Sequence, residues 1–201
     1  MSSLLSYLEE SRAALDRCIA APQLAGRVDA AIDTIVTDLL AHRPLLLCGN
    51  GGSASDAMHI AGELVGRFLL ERKAINCICL TSNAAVVTAW SNDYSYETVF
   101  ARQVEAYGQR GGTLLGISTS GNSANVVRAF ETARELGMNT IGLTGQGGGK
   151  MAALSTVLID VPSKSTPIIQ QLHITIYHYL CEQIEIRLAP AMDQLPAAKA
   201  G

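Results

Sequence analysis

The chain has 201 residues, of which 48% are hydrophobic and 16% are charged, and its formal net charge at pH 7 is −3. It is too apolar for a disordered chain, yet no apolar run reaches the roughly 18 residues of a membrane-spanning helix. Scattered Lys and Arg give no basic field for nucleic acid, so any bound phosphate is expected to be small. We therefore expect one soluble domain. The start of the chain lacks the plan of a signal peptide, and this predicts a cytoplasmic protein.

In chain order, residues 1–42 have the apolar spacing of helices, interrupted near Pro22, and predict two N-terminal helices. From residue 43 to 189, short apolar runs that end in Gly, Ser, Thr or Asn alternate with amphipathic stretches. These runs predict five strands, over residues 45–48, 75–80, 113–117, 140–143 and 156–161. Such βαβ units imply a parallel sheet covered on both faces, with a functional crevice at the carboxyl ends of the strands, where the winding direction reverses. A last helix over residues 167–188 and a loose tail over residues 190–201 complete the chain.

Two Ser/Gly-rich loops follow predicted strands and precede predicted helices. They span residues 48–56 (CGNGGSASD) and 118–123 (STSGNS). Glycines let the backbone approach a ligand closely, hydroxyl groups donate hydrogen bonds, and the free N–H groups of a helix start favour an anion. Each loop therefore predicts a phosphate site. Ordinary capping of the helices by Ser53 and Ser123 is the alternative.

Two glycine-rich segments, the first loop and residues 145–150, resemble nucleotide-binding motifs only superficially. The first loop fits a dinucleotide fingerprint, but the second strand ends in Leu80-Thr81-Ser82-Asn83, without the acidic residue that binds a ribose. Residues 145–150 resemble a nucleotide loop, but Met151 stands where Ser or Thr is required. We expect no nicotinamide cofactor, and we expect a turn with a helix start at residues 145–150.

Candidate acid, base and metal-binding groups lie on two predicted helices. His59 and Glu63 are four residues apart and share one face of a helix whose apolar neighbours predict that it is largely buried. Gln170, His173 and His178 interrupt the apolar run of the last helix. Two interpretations of these groups stay open: ligands of zinc or another divalent ion, or hydrogen-bonded core residues.

Five segments carry a resemblance to the phosphoheptose isomerases of the sugar isomerase (SIS) domain superfamily. They are CGNGGS at 48–53, DAMHIAGEL at 56–64, NDY at 92–94, GISTSGNSANV at 116–126 and IQQLH at 169–173. The resemblance spans about residues 45–188. It implies a flavodoxin-like five-stranded sheet in a homotetramer, assembled with help from the N-terminal helices. It also implies conversion of sedoheptulose 7-phosphate to D-glycero-D-manno-heptose 7-phosphate through an enediol, at the entry to lipopolysaccharide or related glycans.

The resemblance assigns roles to residues position by position. It makes Glu63 the general base and His178 its acid partner. The phosphate would be held by Ser118, Thr119, Ser120 and Ser123. The sugar would be contacted by Asn50, Gly51, Gly52, Ser53, Asn92, Asp93 and Gln170. One zinc ion per subunit would be bound by His59, Glu63, Gln170 and His178.

Departures from the family pattern and rival functions complete the expectation. Gln171 stands where many members have an acid, and Pro167 where some have an aspartate, which concerns the lip of the pocket. One rival is a scaffold of the same superfamily that binds a replication initiator. It lacks the acid at the position of Glu63 and the histidine at that of His178. Isomerases of hexose or pentose phosphates are a second rival, because the loops recognise phosphate and not chain length. A sugar-phosphate-sensing regulatory domain is disfavoured, because residues 1–42 show no basic clustering.

Overall fold

The N-terminal helices form as their apolar spacing predicts. The computed structural model of the protein describes residues 3–191. It begins with α1 (Leu4–Ile19) and α2 (Pro22–Leu40). Pro22 is the first residue of α2, a position where the missing N–H breaks no helical hydrogen bond. Most of the predicted loose tail, residues 192–201, lies outside the described residues, and Ala189–Ala191 form a 3-10 turn.

All five predicted strands are confirmed, and they form one parallel sheet. They are β1 (Leu45–Gly49), β2 (Cys77–Cys79), β3 (Thr113–Ser118), β4 (Asn139–Thr144) and β5 (Val157–Asp160). Their order is β2-β1-β3-β4-β5, so the winding direction reverses between β1 and β3. The second strand is shorter than the predicted 75–80, because this edge strand pairs only with three residues of β1.

Four helices connect strands, and a fifth follows the last strand. The connecting helices are α3 (Gly52–Val65), α4 (Ala84–Asp93), α5 (Val99–Tyr107) and α6 (Ala124–Glu135), and the last is α7 (Thr166–Leu188). Two 3-10 helices lie between them, at Tyr96–Thr98 and Gly149–Leu154. Gly147 and Gly148, both with positive φ, precede the second of these, and Gly149, also with positive φ, is its first residue, so residues 145–150 do form the predicted turn and helix start.

The sheet is covered on both faces, as the unbroken apolar runs predict. Leu45 and Leu47 of β1 pack with the apolar stripes of α2, α3 and α7. Leu46 and Cys48, which point the other way, pack with α5 and α6. Successive side chains of a strand point to opposite faces, so burial of all five β1 residues requires helices on both sides. The five cysteines are free thiols, four of them buried.

His173 of α7 is fully buried, and this makes the protein sensitive to acid. Burial lowers the pKa of His173 from 6.5 to about 4, and the backbone of Thr144 offsets part of this fall. Between these two pH values the unfolded chain binds a proton that the folded chain does not, so stability falls as the pH drops through this window. A difference of this size corresponds to a loss of about 3 kcal/mol in the free energy of unfolding.

The contribution of His173 can be isolated with a neutral amide. We expect His173→Asn to be less stable than the original chain at pH 7, but to lose less stability between pH 6.5 and pH 4. Urea unfolding at a series of pH values measures this, and His42→Asn, at an exposed residue with positive φ, is the control. If His173→Asn and the original chain lose the same free energy over that range, this assignment is wrong.

Candidate functional site

The two predicted phosphate loops lie side by side at the carboxyl ends of β1 and β3. These strands are neighbours in the sheet, and the loops after them lead into α3 and α6. Asn50 of the first loop and Asn125, in the first turn of α6 just after the second loop, join the two segments, each side-chain amide donating to the other's oxygen at 2.8 and 2.9 Å. Tyr96 donates a third hydrogen bond, 2.7 Å long, to the Asn50 side-chain oxygen. This is the switch point at which open parallel sheets bind ligands.

The second loop is held in shape by its own polar groups. The hydroxyl groups of Ser118 and Ser123 lie 2.9 Å apart, and the N–H of Asn122 donates to the Ser120 hydroxyl oxygen at 3.1 Å. Gly121 has φ +66°, and a Cβ there would collide with the carbonyl oxygen of Gly148. Only glycine fits this turn without strain.

The capping alternative is not supported for either serine. Gly51 is the N-cap of α3, and Ser53 lies inside that helix. Ser123 is the N-cap of α6, but within residues 3–191 its side chain makes no capping hydrogen bond. Its hydroxyl group instead contacts Ser118. Both helices therefore begin without a side-chain cap from these serines, a geometry that leaves backbone donors available to an anion.

Three of the predicted acid, base and metal-binding groups come together between α3 and α7. Nε2 of His59 lies 3.0 Å from Oε1 of Glu63, and the rings of His59 and His178 are 5.0 Å apart and nearly perpendicular. One nitrogen or oxygen atom from each of the three lies within 4.8 Å of the other two. Two nitrogen donors and one carboxylate oxygen at such separations can hold a divalent metal ion.

The prediction that the α3 helix is largely buried is wrong in the single chain. The stripe formed by Ala57, Ile60 and Leu64 packs on the sheet, but Met58 and Val65 on other faces are exposed. The side chain of His59 is 43% exposed and that of Glu63 is 21% exposed. A helix that packs on one side of a sheet buries only the face that contacts the sheet. The apolar composition of α3 did not show which of its residues lie on that face.

Gln170 lies on α7 about two helical turns before His178, which belongs to the cluster. Its amide group lies against Gly52 at the start of α3, where a Cβ would collide with the amide nitrogen. The amide of Gln170 is therefore next to the first loop, while His178 is next to His59.

A buried ion pair between Glu185 and Arg72 helps to hold the segment that contacts His178 of the cluster. Glu185 of α7 accepts hydrogen bonds from the backbone N–H groups of Phe68, Leu69 and Leu70, at 2.6 to 2.9 Å. Its carboxylate also lies 3.1 Å from Arg72, and both side chains are almost completely buried. Burial acts to raise the pKa of Glu185, but the three N–H groups and Arg72 outweigh it and lower the pKa. The segment held in this way stacks the Phe68 ring on His178, at 5.8 Å between centroids.

Comparison with known proteins identifies the family. The family model of the SIS domain matches residues 6–145 of the chain. A phosphoheptose isomerase from Crocosphaera subtropica is 51% identical over 167 residues, which cover 83% of this chain and 85% of that protein. The chain belongs to the phosphoheptose isomerase family.

Solved structures of the phosphoheptose isomerase family share the fold. The phosphoheptose isomerase GmhA from Neisseria gonorrhoeae is 39% identical, with a TM-score of 0.85, and the match covers 91% of this chain and 97% of that one. A phosphoheptose isomerase from Francisella tularensis is 36% identical, with a TM-score of 0.86, and the match covers 92% and 100% of the two chains. These similarities confirm the α/β fold with N-terminal helices and the predicted class of protein, an enzyme.

The family motif around Asn92 and Asp93 lies at the end of α4. Asn92 donates a hydrogen bond of 2.9 Å to Asp93, and both residues are exposed in the single chain. The 3-10 helix that follows brings Tyr96, rather than either of these residues, into contact with Asn50.

Within the described chain, no helix is both long and apolar enough to cross a membrane.

Several residues that support the site of this phosphoheptose isomerase family member were not predicted from its sequence. They are Phe68, Arg72, Tyr96, Tyr177 and Glu185. Only Glu185 leaves a signal in the sequence, because a carboxylate between Cys181, Ile184 and Leu188 interrupts the buried stripe of a helix and needs a partner. The others contact residues that are distant along the chain.

Proposed function

We propose that the protein interconverts sedoheptulose 7-phosphate and D-glycero-D-manno-heptose 7-phosphate through an enediol. One observation carries this proposal: in a chain of the phosphoheptose isomerase family, His59, Glu63 and His178 come together between α7 and α3, the helix that begins in the first loop at the switch point. The arrangement suits a substrate with a phosphate at one end and its reacting carbons at the other.

The proposed chemistry needs one group that moves a proton between carbons and one that serves the oxygens. Glu63 removes the proton from C1 of the ketose and returns it to C2 of the aldose. His178 exchanges a proton with the oxygens at C1 and C2, since imidazole both donates and accepts protons near neutral pH. The stacked ring of Phe68 supports this role, because it limits the orientations open to the His178 ring.

The two loops position the substrate in this proposal. The phosphate is held by Ser118, Thr119, Ser120 and Ser123, and the N-terminus of α6 adds backbone donors. The sugar is contacted by Asn50, Gly51, Gly52, Ser53, Asn92, Asp93 and Gln170. The position of the Gln170 amide beside Gly52 supports its place in this group.

We propose that the metal at this site is zinc, one ion per subunit, with His59, Glu63 and His178 as ligands and Gln170 as a fourth that would turn its amide from Gly52 toward the cluster. Imidazole nitrogens and a carboxylate oxygen are donors that zinc prefers, and three of them already lie within 4.8 Å of one another. When bound, zinc polarises substrate oxygens. A carboxylate oxygen that binds a metal is not free to accept a proton, so Glu63 needs its other oxygen, or release from the metal, to act as the base.

We also propose a cytoplasmic homotetramer that supplies heptose for lipopolysaccharide or related glycans. Large apolar side chains on α1 support the assembly, since they are exposed in the single chain. They include Leu4, Leu5, Leu8 and Ile19. Such side chains favour burial against another surface.

The proposed activity is tested by incubating the purified protein with sedoheptulose 7-phosphate in deuterated water and following the products by NMR. We expect D-glycero-D-manno-heptose 7-phosphate that carries deuterium at C2. While the enediol is bound, the base that took the proton from C1 exchanges it for deuterium from the solvent and then delivers the deuterium to C2. Fructose 6-phosphate is the control for chain length. Turnover of the hexose phosphate alone, or of neither compound, would contradict the proposal.

A further inference from the structure

The hydroxyl group of Tyr177 lies between the predicted catalytic cluster and a buried carboxyl group. Tyr177 precedes His178 on α7 and is 1% exposed. Its oxygen is 2.9 Å from Nδ1 of His59, and the two rings meet edge to face at 5.5 Å. The other nitrogen of His59, Nε2, is the one that faces Glu63. Tyr177 therefore contacts the side of the His59 ring that points away from the cluster.

Asp56 is the second partner of this hydroxyl group. It lies one turn before His59 on α3 and is 7% exposed. Burial raises its pKa, and a hydrogen bond from Tyr177 and the charge of His59 partly offset the rise. Its Oδ2 atom is buried and has no hydrogen-bond partner among residues 3–191. Asp56, Tyr177 and His59 thus form a connected polar group between α3 and α7.

The donor and acceptor capacities of these groups give the contact a direction. The hydrogen bond from Tyr177 acts to lower the pKa of Asp56, as a bond donated by the hydroxyl group to the carboxylate does. The oxygen of Tyr177 is then an acceptor toward His59, and Nδ1 of His59 carries the proton. Nε2 is then the nitrogen left for a metal ion, which would take its lone pair and replace the contact that Nε2 makes with Oε1 of Glu63 at 3.0 Å.

We propose that Tyr177 is a positioning residue, whose hydroxyl group holds His59 with Nδ1 protonated and Nε2 directed into the metal-binding cluster. The inference rests on the proposed function, because it takes His59 to be a ligand of the metal. Hydrogen bonds from the second nitrogen of a ligand histidine fix its tautomer and its orientation. His59 is half-exposed, and the fixed, buried hydroxyl group restrains a ring that solvent would otherwise leave free to rotate.

Tyr177→Phe tests this role, since it removes the hydroxyl group and keeps the ring that packs on His59. We expect the affinity for zinc alone to fall about 10- to 100-fold, measured by competition with a chromogenic chelator. We also expect kcat for sedoheptulose 7-phosphate to fall while KM stays nearly unchanged, because Tyr177 is not among the residues proposed to hold the phosphate or the sugar. Tyr179→Phe, two residues further on and 44% exposed, is the matched control and should keep the original affinity.

His59→Ala separates failure of this inference from failure of the proposed metal site. If His59→Ala binds zinc weakly and Tyr177→Phe binds it normally, the positioning role is overturned and the metal site stands. If both variants bind zinc like the original chain, both ideas fail. In the double variant, the loss should not exceed that of His59→Ala alone, because both changes act through one ligand. A further loss of the same size as that of Tyr177→Phe would show that Tyr177 does not act through His59.

Discussion

Replacing Glu63 with glutamine is expected to lower kcat for sedoheptulose 7-phosphate by about 10²- to 10⁴-fold, the usual contribution of a general base. The amide is nearly the same size as the carboxylate but cannot accept a proton from carbon. Glu63 is partly exposed, so the fold should tolerate the change. Stopped assays with product quantified by NMR measure the fall, and deuterium should no longer enter C2 of the product.

The control for Glu63→Gln is Glu71→Gln. Glu71 pairs with Arg67 on the surface, also four residues apart, and both side chains are mostly exposed. We expect Glu71→Gln to keep full activity, because an exposed pair contributes little. Should Glu63→Gln retain more than about a tenth of the original kcat, a loss smaller than general bases usually give, Glu63 is not the base. Zinc binding by the same variant then shows whether the carboxylate serves the metal instead.

Replacing Glu185 with alanine is expected to lower the free energy of unfolding by about 3–5 kcal/mol, the usual result of breaking a buried ion pair. The change leaves the guanidinium group of Arg72 buried without its carboxylate. It also removes the acceptor of three backbone N–H groups, from Phe68 to Leu70. Urea unfolding at pH 7 measures the difference. Activity should fall as well, because Phe68 is then no longer held against His178.

Arg187→Ala is the matched control for Glu185→Ala, because it breaks a neighbouring ion pair at the surface. Arg187 lies two residues further along α7 and pairs with Asp33, and both side chains are more than a third exposed. This variant should cost less than about 1 kcal/mol. Equal losses in the two variants would mean that burial gives the Glu185 pair no special weight.

The sheet and its loops were predictable because their signals are local. Each strand is a short apolar run with a polar or glycine end, and each of the two loops lies within a few residues of its strand. The pairing of β1 with β3 followed from the usual winding of parallel sheets. The cluster of His59, Glu63 and His178 was less secure. His59 and Glu63 are only four positions apart in the sequence, but Glu63 and His178 are 115 positions apart. Only the resemblance to the family brought His178 together with the other two.

The contacts made by the residues around the cluster could not be predicted, because the partners are far apart along the chain. Tyr177 bonds to His59 across 118 positions, and Glu185 bonds to Phe68 across 117. A tyrosine in an apolar helix fits a core as well as it fits a site, so its type carries no signal. The exposure of His59 also escaped prediction, since apolar neighbours on α3 are compatible with either a buried helix or one that a partner covers.

The reciprocal amide pair of Asn50 and Asn125 has a consequence for the entropy of binding. Neither side-chain amide can turn over alone. A half turn of one would place its NH2 group against the other NH2 group and its oxygen against the other oxygen. Tyr96 adds a further restraint on Asn50. The loop proposed for the phosphate and the loop proposed for the sugar are therefore ordered together when the chain folds. A substrate meets two loops already in register, so little of its binding free energy is spent on arranging them.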